Sequence, residues 1–523
     1  MGNQEKITNY QLPITNYLLP ITYYQLPIMT FISLSYGLFL LCVVALYWLV
    51  QQQRLRLWII LIASVVFYAS VQWQYIPLLF VLILINFRLG QAIGKNKSQK
   101  NQDWPFIETD GNRRQKLLFL GIAINVFLLL GFKYIPFILN SIGQVLNLPI
   151  LQQQANSIGA NIIAPLGISF FCFECIAYLI DVYRGAPPTQ QFDKFATYKL
   201  FFPKLISGPI TRYHHLAAQL NLLRFPNTEQ IVEGLWLIAC GAVKKALIAD
   251  RLGILVSLSF DNLQRAGSGD IWLAIFAYGF QLYLDFSAYV DIARGSALLL
   301  GLNLPQNFDF PYLTTSIADF WRRWHITLGD WLRNYLYFPL GGSRRGLPRT
   351  CINLLIVMLI AGIWHGAAWG FIIWGGLHGL ALVIHRITEA ISSRISPLKT
   401  WWQSVPGMIF AWLLTQGMVF TCWIFFRLPN LKEAGWAIQH LWGHEGDVQF
   451  AQKVYIEAMG LDGFQIALLL GILVAAMGLI FAFQRLLNLQ LNWPVKLLLV
   501  PICLHAVWLL APQEVLPYIY FDF

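Results

Sequence analysis

Apolar stretches of about 20 residues, the length that a helix needs to cross a bilayer, recur from residue 31 to the C-terminal region. Hydrophobic residues make up 57% of the chain and charged residues only 12%, against roughly 25% charged residues in soluble domains. The stretches lack the alternation, over roughly ten residues, that is typical of a transmembrane barrel. The sequence therefore predicts an all-α, polytopic membrane protein with about 11–12 transmembrane helices. The predicted spans lie at about 31–50, 57–72, 74–88, 116–134, 162–181, 232–248, 271–290, 351–365, 369–385, 406–426, 464–484 and 496–511.

The formal net charge of +11 indicates basic cytoplasmic loops rather than a nucleic-acid partner, because Lys and Arg collect on the cytoplasmic side of membrane proteins. Basic loops occur at 88–116, 184–204, 344–349 and 386–399, whereas 135–161 contains no Lys or Arg. This alternation predicts an extracytoplasmic N-terminus. The chain has no Gly-rich Lys motif of the P-loop kind, which argues against an ATP-driven pump.

The first 28 residues contain three copies of one seven-residue unit, "NYQLPIT", "NYLLPIT" and "YYQLPIM". Each copy carries a proline, which argues against a continuous helix. We expect residues 1–28 to be a disordered extension and Met29 to be the natural start. The remainder, 29–523, is then expected to form a single membrane domain.

Two spacings that can indicate metal or redox sites have simpler interpretations. Cys172 and Cys175 lie inside a predicted span, where small buried side chains are expected. His440, His444 and Glu445 have the spacing of metal ligands on a helix, but their loop is polar and offers no further ligand. We therefore predict no metal site.

Ionisable residues inside predicted spans need a partner or a purpose, because hydrocarbon does not solvate charge. Glu174, Asp285, Asp291 and Arg294 are such residues. Asp291 and Arg294 are three residues apart and can pair on one helix face. The favoured interpretation is buried ion pairs that hold helices together, and a functional site is the alternative.

The block "FWRRWHITLGDWLRNYLYFPLGG", 320–342, has the pattern of an interfacial amphipathic helix. At 3.6 residues per turn, Trp321, Trp324 and His325 fall on one aromatic stripe, and Arg322 and Arg323 fall largely away from it. A membrane-surface anchor would explain the stripe but not a histidine on its aromatic side. His325 is therefore a candidate site residue.

The stretch "GIWHGAAWGFIIWGGLHG", 362–379, places His365 and His378 among Trp, Gly and Ala. A buried imidazole stays neutral and can accept a proton from a hydroxyl, since desolvation disfavours the imidazolium. A general base of this kind contributes roughly 10²–10⁴-fold to a rate. A core histidine bonded to a carbonyl is an equal alternative for His365. His378, on roughly the opposite helix face, is expected to make a structural hydrogen bond.

Several blocks together resemble the membrane-bound O-acyltransferases over roughly 29–430. The similarity is greatest to the AlgI-like branch that O-acetylates alginate, and the branch that D-alanylates teichoic acids is related. The presence of both the Trp-Arg-Arg-Trp-His block and the Trp-His-Gly-Ala-Ala-Trp block in one chain is highly specific for this family. The blocks are "PLGISFFCFECIAYLIDVYRG" (165–185), "FFPKLISGPITRY" (201–213), "DFSAYVDIARG" (285–295), "LPQNFDFPY" (304–312), "DFWRRWHITLGDWLRNYLYFPLGG" (319–342) and "WHGAAWGFIIWGGLHG" (364–379).

The resemblance implies a ring of tilted transmembrane helices, with re-entrant or interfacial helices, around a tunnel through a bacterial inner membrane. It implies that His365 and His325 are the catalytic residues, in blocks 362–379 and 319–342. The resemblance also implies that no cofactor is bound and that the substrate is a cytoplasmic acyl thioester, either acetyl-CoA or the phosphopantetheine of an acyl carrier protein. The expected recipient of the acyl group is a hydroxyl of an exported polysaccharide or an extracytoplasmic acceptor, and the expected partner is a separate extracytoplasmic acetyltransferase.

Other residues of these blocks are candidates for binding the donor or substrate. Indole N–H groups or backbone amides near Gly366 could stabilise the oxyanion that develops on a thioester carbonyl. Arg322 and Arg323 could attract a donor phosphate, although lipid phosphate is an equal alternative. The complete set of binding candidates is Arg322, Arg323, Trp324, Trp364, Trp369 and Asp285.

The sequence departs from the AlgI-like pattern at Glu174, Ala288, Val290 and Arg294, which puts the identity of the acceptor in doubt but leaves the histidine blocks intact. A D-alanyl-type transferase acting on another envelope polymer is one alternative. A transporter or channel with His365 in its conduction path is another, but the chain lacks the two related halves typical of a transporter. A non-catalytic scaffold is the third alternative.

Overall fold

The computed structural model describes residues 30–94, 111–221, 224–512 and 516–521. The predicted N-terminal extension, 1–28, lies outside the described residues. Every regular element in the described ranges is a helix, and the predicted all-α class is confirmed. The α-helices are α1 (Leu34–Leu49), α2 (Gln53–Gln72), α3 (Ile76–Gly94), α4 (Gly111–Leu129), α5 (Ile135–Val145), α6 (Pro149–Asn161), α7 (Ile168–Tyr183), α8 (Phe192–Leu200), α9 (Tyr213–Leu220), α10 (Thr228–Ala242), α11 (Asp250–Asp261), α12 (Ser268–Leu299), α13 (Ile317–Arg323), α14 (Ile326–Leu332), α15 (Gly346–His365), α16 (Trp369–Ser392), α17 (Ser396–Gln403), α18 (Val405–Arg427), α19 (Leu431–Gln439), α20 (Val448–Ala451), α21 (Gly463–Phe481) and α22 (Trp493–Leu510).

In the described residues, 8 helical segments are long and apolar enough to cross a membrane, which confirms a polytopic membrane protein. The first of them, Gln53–Gly94, contains the two predicted spans 57–72 and 74–88. Other predicted spans correspond to shorter helices, such as α7, which has 16 residues. The remaining long segments are Asn112–Val145, Ser268–Leu299, Gly346–His365, Trp369–Ser392, Val405–Arg427, Gly463–Leu486 and Trp493–Leu510.

Helix α12, with 32 residues, lies at the centre of the bundle and is buried along most of its length. It packs against α10, α11 and α18. Glycines allow α10 and α12 to approach closely, because a Cβ on Gly295 would lie 2.4 Å from the carbonyl oxygen of Gly234. By contrast, α22 leaves most of its apolar surface uncovered, as expected of a helix that faces lipid.

Helices α15 and α16 form a tight hairpin that carries His365 at its turn. The two backbones meet at Gly362 and Gly375, whose Cβ positions lie 2.3 Å from the carbonyl oxygen of Phe371 and 2.4 Å from that of Met358. Small residues at a helix contact permit the close packing that stabilises membrane helices. The hairpin therefore positions the His365 turn rigidly.

The single amphipathic helix predicted within 320–342 is wrong, because the chain breaks between α13 and α14. His325 adopts a left-handed backbone conformation there, with φ 44° and ψ 54°. Asn307 accepts hydrogen bonds from the backbone at the break. The Ile326 N–H donates to the Asn307 carbonyl at 3.0 Å. The Thr327 N–H and hydroxyl donate to the Asn307 side chain at 3.1 and 2.7 Å. Tertiary hydrogen bonds thus replace those of a continuous helix.

We expect Gly375→Ala to destabilise the α15–α16 hairpin by roughly 1–3 kcal/mol, since the added methyl group forces the helices apart. Gly376→Ala is the matched control, because its Cβ meets only the Leu359 side chain at an ordinary 3.7 Å. Ala is otherwise the better helix former. Thermal unfolding of the detergent-solubilised variants measures the difference, and equal unfolding temperatures would contradict the close-contact argument.

Candidate active site

His325 and His365 come together in one buried aromatic cluster, although they are carried by different elements. The ring of Trp364 lies 5.0 Å from that of His365 and 6.1 Å from that of His325, measured between centroids. The ring of Tyr520 lies 6.0 Å from each histidine ring. Both histidines are buried. The structure therefore unites the two candidate catalytic histidines, whose catalytic roles stay predictions.

The imidazole of His325 is buried without a hydrogen bond from either ring nitrogen to another described residue. Its left-handed backbone at the start of α14 directs the ring to Phe286, 4.9 Å away, and Phe170, 6.1 Å away. A buried polar group without a partner costs free energy, so such a group in a native protein needs an explanation. A substrate that binds beside the ring is one explanation.

His365 is the last residue of α15, and its ring is enclosed by Trp374 at 5.1 Å and Phe426 at 5.0 Å. Its Nδ1 atom is buried and has no hydrogen-bond partner in the described part of the chain. No carbonyl in the described residues therefore holds the ring through Nδ1, and the general-base role of His365 stays a prediction.

His378 differs from the other two because its Nδ1 accepts a hydrogen bond from the indole N–H of Trp321 at 3.3 Å. This agrees with the expected structural hydrogen bond. Its ring lies 4.8 Å from the ring of Trp374, which in turn contacts His365. His378 thus packs against Trp374, one of the rings that enclose His365.

Among the binding candidates, Trp364 is the one that lies beside both histidines. Its indole N–H is buried and has no acceptor in the described residues, so it could stabilise a developing oxyanion. Trp324 packs on Phe320, 5.5 Å away, and faces Trp423, 5.1 Å away. Trp369 is 47% exposed and lies outside the cluster, which makes it a poor candidate for the same task.

The charged binding candidates form ion pairs with neighbouring side chains. Arg322 and Arg323 both pair with Asp319 on α13, at 3.4 and 3.0 Å, and the Arg322 side chain is 67% exposed. Asp285 is buried and forms an ion pair with Lys245 at 2.7 Å. Donor binding by the arginines and substrate binding by Asp285 stay predictions.

Sequence reasoning missed Tyr520, which follows the last span by ten residues and reaches back into the centre of the bundle. Its 3.9 Å contact with the Phe286 ring belongs to the wall of the histidine cluster. The available signal was the composition of "LPYIYF", 516–521, which is apolar and aromatic, unlike an ordinary exposed tail. Proximity to His325 could not be read from that composition.

A buried charge cluster beside the histidines holds the chain segment 201–211 against α7. Glu174 on α7 pairs with Lys199 at 2.9 Å and with Lys204 at 2.6 Å. It also accepts hydrogen bonds from the N–H and hydroxyl of Thr211, both at 3.1 Å. The interpretation of Glu174 as a buried ion pair is therefore confirmed. Helix α7 also contributes Phe170 to the histidine cluster.

The family model of the membrane-bound O-acyltransferases (MBOAT) matches residues 65–426. The chain belongs to this family. The match covers more than half of the sequence and includes both His325 and His365. Membership confirms the resemblance drawn from the motifs and identifies the chain as an O-acyltransferase.

The chain is similar to several bacterial proteins that are named as acyl-transfer enzymes. A protein of Pseudomonas putida named "Probable alginate O-acetylase AlgI" is 36% identical over 437 residues, covering 83% of this chain and 83% of that protein. The peptidoglycan O-acetyltransferase of Helicobacter pylori is 35% identical over 407 residues, 72% of each chain. The teichoic acid D-alanyltransferase of Streptococcus thermophilus is more distant, 28% identical over 235 residues, covering 42% of this chain and 56% of that protein.

We expect Glu174→Leu to destabilise the protein by roughly 3–5 kcal/mol, because two buried lysines lose their shared carboxylate. Asp330→Leu is the control, since it removes an exposed ion pair with Arg333. The Arg333 side chain is 54% exposed and the Asp330 side chain is 50% exposed. Exposed pairs of this kind contribute at most about 1 kcal/mol. Thermal unfolding in detergent gives both values, and equal losses would show that burial does not set the strength of the Glu174 cluster.

Proposed function

We propose that this protein transfers an acetyl group from a cytoplasmic thioester to a hydroxyl of an exported polysaccharide, directly or through an extracytoplasmic acceptor protein. The observation that carries the proposal is the pair of buried histidines with unpaired ring nitrogens in one aromatic cluster. The polysaccharide is proposed because relatives at 35–36% identity are named as acetylating alginate or peptidoglycan.

In the proposed reaction, His365 is the general base. The acceptor oxygen attacks the thioester carbonyl carbon while the His365 nitrogen takes the hydroxyl proton, so that a C–O bond forms. The C–S bond then breaks, and the leaving thiolate takes up the proton that His365 had accepted, which restores the neutral imidazole. The Trp364 indole N–H stabilises the oxyanion, and His325 is the second proton-transfer group. Low polarity around these groups strengthens each electrostatic contact.

The acceptor is proposed to approach from the extracytoplasmic side. A pocket of about 420 Å³, lined by Lys133, Asn140, Asn156 and Ala367, opens beside the turn that follows His365. Helices α5 and α6, which flank this pocket, belong to the region 135–161 that lacks Lys and Arg and is predicted to lie outside. Polar side chains in such a pocket suit a sugar hydroxyl or the acceptor residue of a partner protein.

The donor is proposed to arrive from the opposite side as acetyl-CoA or as the acetylated phosphopantetheine of a carrier protein. Arg322 and Arg323 carry two positive charges at the exposed end of α13, and Asp319 neutralises only one of them. The remaining charge suits a phosphate group. An extracytoplasmic acetyltransferase is the proposed partner for final transfer to the polymer.

We expect His365→Ala to lower the O-acetyl content of the exported polysaccharide by at least about 10²-fold, since it removes the general base. The measurement uses a deletion strain complemented with wild type or variant at matched protein levels. His440→Ala is the control, because His440 stacks on Trp436 at 3.9 Å, outside the histidine cluster, and should restore full acetylation.

Equal restoration by wild type and His365→Ala would remove His365 from the chemistry. A deletion that leaves polysaccharide acetylation unchanged would contradict the proposed acceptor or acyl group. Mass analysis of released acyl groups then distinguishes acetyl from D-alanyl transfer.

A further inference from the structure

A second buried charge cluster, separate from that of Glu174, lies next to the histidine cluster. Lys245, in the π-helical turn Val243–Ala249, pairs with Asp250 on α11 and Asp285 on α12, both at 2.7 Å. The three side chains are 1–2% exposed. Burying ions requires good geometry and further hydrogen bonds for the remaining polar atoms. The partners of these further hydrogen bonds therefore show which part of the chain the cluster holds.

The further bonds go to the C-terminal segment, defined here as residues 516–521. Lys245 Nζ donates to the carbonyl oxygen of Pro517 at 3.2 Å. The second carboxylate oxygen of Asp285 accepts the N–H of Ile519 at 2.9 Å. The Lys245 Nζ atom also lies 4.6 Å from the centre of the Tyr518 ring. The cluster thus binds the segment on both sides of Tyr518.

Anchoring at these two points directs Tyr520 into the histidine cluster. Asp285, which holds Ile519, is adjacent in α12 to Phe286, whose ring contacts Tyr520 at 3.9 Å. Tyr520 is 4% exposed and lies 6.0 Å from the rings of both His325 and His365. The charge cluster and the placement of Tyr520 are therefore parts of one local arrangement.

The neighbouring lysine provides a comparison within the same turn. Lys244 pairs with Asp291 at 2.6 Å, and Asp291 also approaches Arg294 at 3.9 Å. That ion pair links the turn to α12, as an ordinary structural pair does. Lys245 makes the equivalent link to α12 and in addition binds the main chain of the C-terminal segment.

We propose that Lys245 is a positioning residue: with Asp250 and Asp285 it holds the C-terminal segment in place, so that Tyr520 occupies the space beside His325 and His365. The C-terminal segment is thus a part of the chain that covers the two histidines and can be released from them. Loss of its anchors frees it and opens the histidines to reagents. This inference concerns the position of the segment and does not depend on which acyl group or acceptor the enzyme uses.

The test measures amide hydrogen exchange of the C-terminal segment in the full-length protein in detergent, by mass spectrometry of peptides containing 516–521. Lys245→Met should speed exchange of the segment amides at least tenfold, because both anchors are disturbed. Lys244→Met should leave that exchange within twofold of wild type. Wild-type exchange in Lys245→Met would overturn the proposal, as would equal acceleration in both variants.

Lys245→Met leaves two buried carboxylates unpaired and could prevent folding, so a second variant tests the same point with the charges intact. Ile519→Pro removes the N–H that donates to Asp285 and leaves Lys245, Asp250 and Asp285 unchanged. Ile519 is the first residue of the helical turn Ile519–Phe521, where proline is well tolerated. We expect at least fivefold faster exchange at the Tyr520 and Phe521 amides, and unchanged exchange there would overturn the proposal.

Reactivity of the site histidines provides the functional readout. Diethyl pyrocarbonate should modify His365 at least fivefold faster in Ile519→Pro than in wild type, with His440 as the internal reference. Unchanged reactivity of His365 would show that the segment does not cover it. Neither measurement uses acyl transfer, so failure of the proposed acetylation and failure of this inference are distinguishable.

Discussion

A charge within the hydrocarbon layer needs a partner inside the protein, because lipid cannot solvate it. Among the described residues, two clusters of almost fully buried charges meet this requirement, one around Glu174 and one around Lys245. Each ties a non-spanning stretch to the central helices: Glu174 binds Thr211 after the 201–210 stretch, and Lys245 binds the C-terminal segment. Irregular backbone at membrane depth is stable only where protein groups satisfy it. The helices that carry the two carboxylates, α7 and α12, also contribute Phe170 and Phe286 to the histidine cluster.

Several buried polar atoms have no hydrogen-bond partner among the described residues, and some of them lie together in the histidine cluster. The nitrogens of His325, the Nδ1 of His365 and the indole N–H of Trp364 have no hydrogen-bond partner among the described residues. The three rings share one cluster. An acyl-transfer reaction needs a proton acceptor and an oxyanion donor in a water-poor space. In the proposed function, these unpaired groups interact with the substrate.

The sequence predicted the fold class well, because it depends on local patterns, and the catalytic roles of His325 and His365 stay predictions. Hydropathy over about 20 residues reports membrane spans directly. The helix across 320–342 was predicted incorrectly because the periodicity of a segment carries no information about distant residues. The carbonyl and side chain of Asn307 accept hydrogen bonds from the backbone N–H groups that follow His325, and the helix is interrupted there. His325 therefore faces the cluster through a left-handed turn rather than through a helical stripe.

By itself, the sequence determined an all-α membrane protein, its family and the two histidines within their motifs. Only the tertiary structure decided that Tyr520 lies beside both of them and that Lys245 is the ion-pair partner of Asp285. Tyr520 is separated from His365 by more than 150 residues. Contacts between residues so far apart in the sequence depend on how the helices pack and on which buried charges pair. Neither produces a periodic pattern that can be recognised in a single sequence.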